Sequence, residues 1–150
     1  MGREAEYDAS QLQVLEGWEA IRKRPGMYVG STGERGLHIL VFEVVDRAVN
    51  EVLAGRASRV DVTLMPDGGV RVADDGPGFP FEDTDVPGLE YELTRMYVRV
   101  GLGAPRYPMF GFCGVGLLVV NALSSRLVAE VQREGVRQAQ EYMRATAVTR

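Results

Sequence analysis

The chain has 150 residues, a length that suits one domain with a single substantial core. Its 17 basic and 21 acidic residues give a net charge of −4, which argues against an electrostatic nucleic-acid binder, because such proteins gather a basic excess on one face. A single cysteine, Cys113, excludes an intrachain disulfide and a multi-cysteine metal site, and it fits a reducing compartment.

The first third of the chain predicts two helices. A capping box that begins at Ser10 opens the first helix, and apolar residues follow at helical spacing until Pro25. The segment 22–36 is basic and then rich in turn formers, so it predicts a loop. From Gly36 the pattern is helical again, and Gly55 ends this second helix.

The rest of the chain predicts a hairpin, two more helices and a second hairpin. Apolar and polar residues alternate on both sides of a PDGG turn at 66–69. A helix is predicted between 89 and 100, and a long glycine-punctuated loop leads to a buried helix near 115–123. Two β-rich segments, 127–132 and 136–142, flank a Glu-Gly turn. This order predicts an α+β two-layer sandwich with a mixed, mostly antiparallel sheet and helices on one face.

Neither a targeting signal nor a membrane span is predicted. The N-terminus lacks the apolar region of a secretory signal. The uncharged stretch 107–125 contains proline, glycines and asparagine, so it predicts a loop that feeds a buried helix. We therefore expect one cytoplasmic domain over 1–150, with an N-terminal arm at 1–9 and a core at 10–150.

Four polar residues interrupt the otherwise apolar second helix. A helical wheel places them within about 100° of one another, as a single polar stripe. Such a stripe lines a pocket, meets a partner, or is the solvated face of an amphipathic helix. Its members are Glu43, Asp46, Arg47 and Asn50.

Two glycine-rich segments favour the pocket. Asp74 ends a predicted strand and is followed by Gly76 and Gly78. A carboxylate there can accept a hydrogen bond from an exocyclic amine, and the glycines let a flat ligand approach the backbone. The alternative is an ordinary Asp-Gly turn. Gly114 and Gly116 precede the buried helix, where free N–H groups can meet an anion, although a flexible or tightly packed loop has the same composition.

Together these segments carry a family resemblance. They run from Tyr7 to Gly135 and read YDASQLQVLEGWEAIRKRPGMYVGST, GLHILVFEVVDRAVNEVLAG, VADDGPGFP and GFCGVGLLVVNALSSRLVAEVQREG. This set closely resembles the N-terminal ATPase domain of the gyrase B family. That family lies within the superfamily of gyrase, chaperone, histidine-kinase and mismatch-repair ATPases (GHKL, the Bergerat fold). The resemblance implies a Bergerat-type sandwich with a nucleotide pocket.

The resemblance also implies roles for the matching residues. Glu43 matches the general base that activates the attacking water, and Asp74 matches the aspartate that holds the adenine amine. Tyr7 falls in the N-terminal arm, which in gyrase covers the partner's nucleotide, so a homodimer through the arm is implied. The positions that match residues flanking the nucleotide or its phosphate lid are Gly78, Pro80, Gly111, Gly114 and Gly116.

Several matching positions depart from the family's residues. Arg47 stands where the family has a magnesium-ligating asparagine, and a guanidinium cannot ligate a cation. It can instead pair with Glu43 at i, i+4. Ile39 replaces the histidine that supports the base, and Pro77 replaces the arginine that pairs with the acid at Glu51.

The lid and the extent of the chain depart as well. Phe110 and Cys113 stand where the family's lid has glycine and histidine, and the transducer and DNA-cleavage domains are expected to be absent. These departures predict a stand-alone, degenerate domain without magnesium-dependent ATP hydrolysis or topoisomerase activity.

We expect the pocket to bind a small molecule, without a metal ion and without direct contact to DNA or membrane. Glu43 and Arg47 are its candidate catalytic residues, as an acid–base or anion-holding pair. A weak adenine-nucleotide-binding module and a gyrase-like decoy or partner protein are the alternatives. The candidate binding residues are Asp46, Asn50, Asp74, Gly76, Gly78, Phe79, Pro80, Phe110, Phe112, Gly114 and Gly116.

Overall fold

The computed structural model describes residue 15 and residues 17–78, 88–95 and 116–148. In chain order the elements are α1 (Trp18–Lys23), α2 (Gly26–Val29), α3 (Glu34–Leu53), β1 (Val60–Leu64), β2 (Val70–Asp74), α4 (Gly88–Thr94), α5 (Leu117–Leu123), β3 (Arg126–Arg133), β4 (Val136–Met143) and β5 (Thr146–Ala147). The predictions that fall outside these ranges concern the capping box at Ser10, the arm with Tyr7, and the site residues Phe79, Pro80, Phe110, Gly111, Phe112, Cys113 and Gly114.

Both predicted hairpins are confirmed. β1 and β2 pair antiparallel, with Val62 opposite Val72. β3 and β4 pair antiparallel as well, and β5 adds a short third strand beside β4. The Glu-Gly turn between β3 and β4 has positive φ at both residues, 52° at Glu134 and 80° at Gly135. Such a pair of left-handed residues matches the right-handed twist of the two strands that it joins.

The long helix was predicted well and the loop before it was not. α3 covers Glu34–Leu53, close to the predicted span from Gly36 to Gly55. The predicted loop 22–36 contains the one-turn helix α2, which begins after Pro25 and ends at Gly30. Proline presets a helical φ, here −61°, and Gly30 ends the turn at a φ of 73°. One helical turn is too short to show a period in the sequence.

The buried apolar residues form two clusters that α5 joins. The first cluster lies among α1, α2 and α5, and the second lies between α4 and the sheet formed by β3 and β4. In the second cluster Leu89 and Leu93 pack with Val131 and Tyr142, and Leu117 at the start of α5 packs against them. The buried members of the first cluster are Ile21, Val29, Leu118, Val119, Ala122 and Ala145.

The β3–β4 sheet packs one face toward the helices and exposes the other. Leu127 and Ala129 alternate with their neighbours and pack toward the helices. The opposite face carries exposed ion pairs, of which Arg126–Glu141 is one. Helices and antiparallel strands in two small sheets confirm the predicted α+β class. No helix of the described ranges is long and apolar enough to cross a bilayer.

Candidate functional site

The polar stripe of α3 turns toward the interior of the domain. Asp46 and Asn50 are only 7% and 9% exposed, whereas Leu37 and Leu53 on the same helix are 62% and 53% exposed. An ordinary amphipathic helix shows the reverse distribution. The interpretation of the stripe as a solvated face is therefore wrong for Asp46 and Asn50.

Glu43 connects α3 to the beginning of α5. Its Oε1 accepts a hydrogen bond from the backbone N–H of Gly116 at 3.0 Å. Gly116 has a φ of 86°, a conformation that favours glycine, and it immediately precedes α5. Two of the residues predicted for the site are thus brought into direct contact.

Arg47 connects α3 to α4. Its Nη1 lies 3.7 Å from Oε2 of Glu92, and the two side chains are 39% and 35% exposed. The sequence predicts that Glu43 and Arg47 pair with each other, and that pair stays a prediction. The structure adds a contact of Glu43 with Gly116 and a contact of Arg47 with Glu92. Sequence reasoning did not find Glu92, because no periodic pattern relates α4 to the polar stripe of α3.

Glu51 has a partner that the sequence analysis missed. Arg56 donates two hydrogen bonds to its carboxylate, from Nε to Oε2 at 2.7 Å and from Nη2 to Oε1 at 2.8 Å. The hydrogen bonds from Arg56 and the nearby charges of Arg56 and Arg47 outweigh desolvation and hold the pKa of Glu51 below its usual value. Glu51 thus forms a two-point ion pair with Arg56 just beyond the end of α3.

Asp74 forms a tight turn where β2 ends. Its Oδ1 accepts a hydrogen bond from the backbone N–H of Gly76 at 2.9 Å, so the Asp-Gly turn that the sequence left open is present. A Cβ on Gly76 would lie 2.8 Å from this same oxygen and 3.6 Å from Cβ of Glu51. Gly76 thus lets the turn lie against α3.

Asp75 fastens the same turn to the loop that precedes β1. Its carboxylate accepts hydrogen bonds from the N–H of Ser58 at 2.7 Å, the hydroxyl of Ser58 at 2.5 Å and the N–H of Arg59 at 3.0 Å. These donors favour the ionised form and lower the pKa of Asp75 to about 2. No functional role is predicted for Asp75 from the sequence.

Gly78 brings the chain after β2 close to β3. Its φ is 70°, and a Cβ built on it would collide with Cγ1 of Val131. Any side chain at this position would be both strained and obstructed. The glycine thereby sets the separation between the end of β2 and the second sheet.

The predicted site is thus only partly assembled from described residues. Asp74, Gly76 and Gly78 lie at the end of β2, and Gly76 also approaches Glu51 of α3. Glu43 and Gly116 meet between α3 and α5. Across the described ranges, no group of three or more His, Cys, Asp or Glu side chains is arranged to hold a metal ion.

The sequence identifies the class of protein to which this geometry belongs. Residues 32–148 match the family described as histidine kinase-, DNA gyrase B-, and HSP90-like ATPase. The chain belongs to this family, and the predicted resemblance to the GHKL superfamily is confirmed.

Individual relatives are bacterial DNA gyrase B proteins. The chain is 54% identical over 142 residues to the DNA gyrase B protein of Streptomyces coelicolor, a match that covers 92% of this chain and 21% of that protein. It is 53% identical to the novobiocin-resistant and 51% identical to the novobiocin-sensitive DNA gyrase B protein of Streptomyces niveus, over 92% and 91% of this chain and 21% and 20% of those proteins. The chain spans about a fifth of the length of these curated relatives.

Proposed function

We propose that this domain binds a small molecule at the nucleotide site of its family and does not carry out magnesium-dependent ATP hydrolysis. Arg47 is the observation that carries the proposal. It lies on α3 one turn after Glu43, with its guanidinium 3.7 Å from the carboxylate of Glu92. A guanidinium has only donors and a fixed positive charge, so it cannot ligate magnesium and repels it. The residues present therefore do not fit a magnesium ion at this position.

The contact of Glu43 supports the same proposal. A general base needs its carboxylate within hydrogen-bond reach of the water that it activates. Here one oxygen of Glu43 accepts the N–H of Gly116, so the carboxylate connects two helices. This contact favours a binding or positioning role for Glu43 over the role of a general base.

The end of β2 supports retention of a ligand site. Asp74 and Gly76 form a turn that approaches α3, and Gly78 holds the following chain against Val131. A carboxylate beside side-chain-free backbone suits a flat heteroaromatic ligand with an exocyclic amine. The same observation favours the second candidate function, weak binding of an adenine nucleotide.

Isothermal titration calorimetry tests the proposal with ATP, ADP, adenosine and an aminocoumarin inhibitor, each with and without magnesium. We expect adenosine or the inhibitor to bind, and magnesium to leave the affinity for ATP unchanged. The Arg47→Asn variant restores the asparagine of the resemblance and is expected to make ATP binding respond to magnesium. Magnesium-dependent ATP binding by the unaltered chain would overturn the proposal, and failure of all four ligands would favour a partner role.

A matched pair of variants locates the ligand. Asp74→Asn removes the carboxylate at the end of β2, and Asp67→Asn is its control. Asp67 also accepts a backbone N–H two residues later, from Gly69 at 2.8 Å, but it lies in the β1–β2 turn. We expect loss of adenosine or inhibitor binding for Asp74→Asn only. Equal effects of the two variants would place the ligand elsewhere.

A further inference from the structure

We propose that Glu92 of α4 sets the charge preference of this site by acting as the counter-ion of Arg47. With Glu92 ionised, its negative charge opposes the attraction of Arg47 for phosphate, so the site binds phosphate-bearing ligands more weakly than it would without Glu92. This inference rests on the proposed function and deepens it, because it names both the ligand class and a specificity-determining residue.

Arg47 lies among three carboxylates with different partners. Glu43 and Glu51 are one helical turn before and after it on α3. Glu43 accepts the N–H of Gly116, and Arg56 grips Glu51 with two hydrogen bonds. The carboxylate of Glu92 approaches from another helix and lies 3.7 Å from the guanidinium. Glu92 is therefore a carboxylate from outside α3 that a phosphate-bearing ligand meets beside Arg47.

Glu92 is held in place by the packing of its own helix. Its neighbours Leu89 and Leu93 are 3% and 2% exposed and pack against the β3–β4 sheet. The side-chain amide of Asn121 donates a hydrogen bond to the carbonyl of Leu93 at 3.0 Å, which ties the end of α4 to α5. A carboxylate on an anchored helix keeps its position when a ligand arrives, so it can discriminate between ligands.

The solvent exposure of Arg47 and Glu92 limits how much Glu92 can change the affinity for a ligand. Both side chains are more than a third exposed, so a ligand can reach them and water screens them. Partly exposed ion pairs contribute at most about 1 kcal/mol, which corresponds to about fivefold in affinity. A phosphate group meets repulsion from Glu92 and attraction from Arg47, whereas a neutral nucleoside is indifferent to both.

Calorimetry of the full chain without magnesium tests the inference with adenosine, ADP and pyrophosphate. We expect Glu92→Gln to strengthen ADP and pyrophosphate binding about fivefold and to leave adenosine unchanged. The Arg47→Gln/Glu92→Gln double variant is expected to lose this gain, because it removes the guanidinium that the phosphate contacts. Glu19→Gln, at an exposed position of α1, makes the same change of charge away from the site and serves as the control.

The outcomes separate this inference from the proposed function. If adenosine binds but Glu92→Gln leaves the affinities for ADP and pyrophosphate unchanged, the inference fails and the proposed function stands. If adenosine and ADP fail to bind while pyrophosphate binding rises in Glu92→Gln and falls in the double variant, the proposed function fails and the inference stands. An equal gain in Glu19→Gln, or an equal gain for adenosine, also overturns the inference.

Discussion

The carboxylate of Glu43 accepts a hydrogen bond from the backbone N–H of Gly116 at 3.0 Å, across a sequence separation of 73 residues. The contact joins the middle of the longest described helix to the residue that immediately precedes the buried helix α5. The resemblance implies that the glutamate activates the attacking water and that the glycine is part of the lid over the phosphates. Here the two residues contact each other, so the contact is expected to bear on the stability of the domain.

Removal of the Glu43 carboxylate is expected to weaken the fold. Glu43→Ala removes the acceptor and leaves the Gly116 N–H without it, which lowers the free energy of unfolding by about 1 kcal/mol at this partly buried position. Glu43→Gln keeps a carbonyl acceptor of similar reach and is expected to lose less than half as much. Urea unfolding at neutral pH measures both variants. If the alanine variant is as stable as the unaltered chain, the contact does not stabilise the domain.

Asp75 is expected to make stability depend on pH in the acid range. Its folded pKa of about 2 lies below the ordinary value of 3.8. The stabilisation is therefore fully present above 3.8 and is lost as the pH falls toward about 2. Asp75→Asn should lower stability at neutral pH and flatten the acid limb of the stability curve.

An NMR titration of Asp75 checks whether its hydrogen bonds cause the lowered pKa. We expect the carboxylate to titrate near 2 in the unaltered chain. Ser58→Ala removes the hydroxyl donor, the largest cause of the shift, and keeps the backbone donors, so the pKa should rise but stay below the ordinary value. A pKa near 3.8 in the unaltered chain would show that the three hydrogen bonds do not persist in solution.

Gly78 and Gly135 form a matched pair for testing close approach. Both have positive φ, 70° and 80°, so alanine at either position suffers the left-handed backbone penalty of about 1 kcal/mol. A Cβ at Gly78 also collides with Val131, whereas Gly135 has open space. We expect Gly78→Ala to be the more destabilising change, and Val131→Ala in the same chain to relieve part of the difference. Thermal unfolding measures this, and equal effects at the two glycines would refute the close approach.

Asn121 is expected to tolerate no charge. It is 1% exposed, and its amide donates to the carbonyl of Leu93 at 3.0 Å. Asn121→Asp replaces the donor with a buried carboxylate facing an acceptor, which should lower the free energy of unfolding by about 2–3 kcal/mol. Ser124→Ala is the control, because it removes a partly buried side-chain hydrogen bond to Val120 just beyond the end of α5. An aspartate variant as stable as this control would contradict the prediction.

Local regularities of the sequence explain which elements could be predicted. The hairpins alternate apolar and polar residues around glycine-containing turns, which indicates strands. The 20 residues of α3 are enough to show the apolar spacing of a helix. The helix α2 has only four residues, too few for a period, and it depends on Pro25 and Gly30 at its two ends.

The sequence singles out candidate site residues but does not predict the contacts that they make in the fold. Glu43, Arg47 and Asp74 stand out because a family motif surrounds them. Glu92, Arg56 and Ser58 lie in other elements or beyond the helix end, and their roles arise only when the chain folds. The predicted Glu43–Arg47 pair relied on helical spacing alone, whereas the contacts of Glu43 with Gly116 and of Arg47 with Glu92 arise from tertiary packing.

Three side-chain contacts connect the helices α3, α4 and α5 pairwise. Glu43 joins α3 to the start of α5, Asn121 joins α5 to α4, and Arg47 joins α3 to α4 through Glu92. When one of these contacts is lost, the helices can shift relative to one another, and the other two contacts are weakened. Substitutions at Glu43, Arg47 and Asn121 are therefore expected to show non-additive changes in the free energy of unfolding. A ligand that strengthens any one of the three contacts would therefore also stabilise the other two.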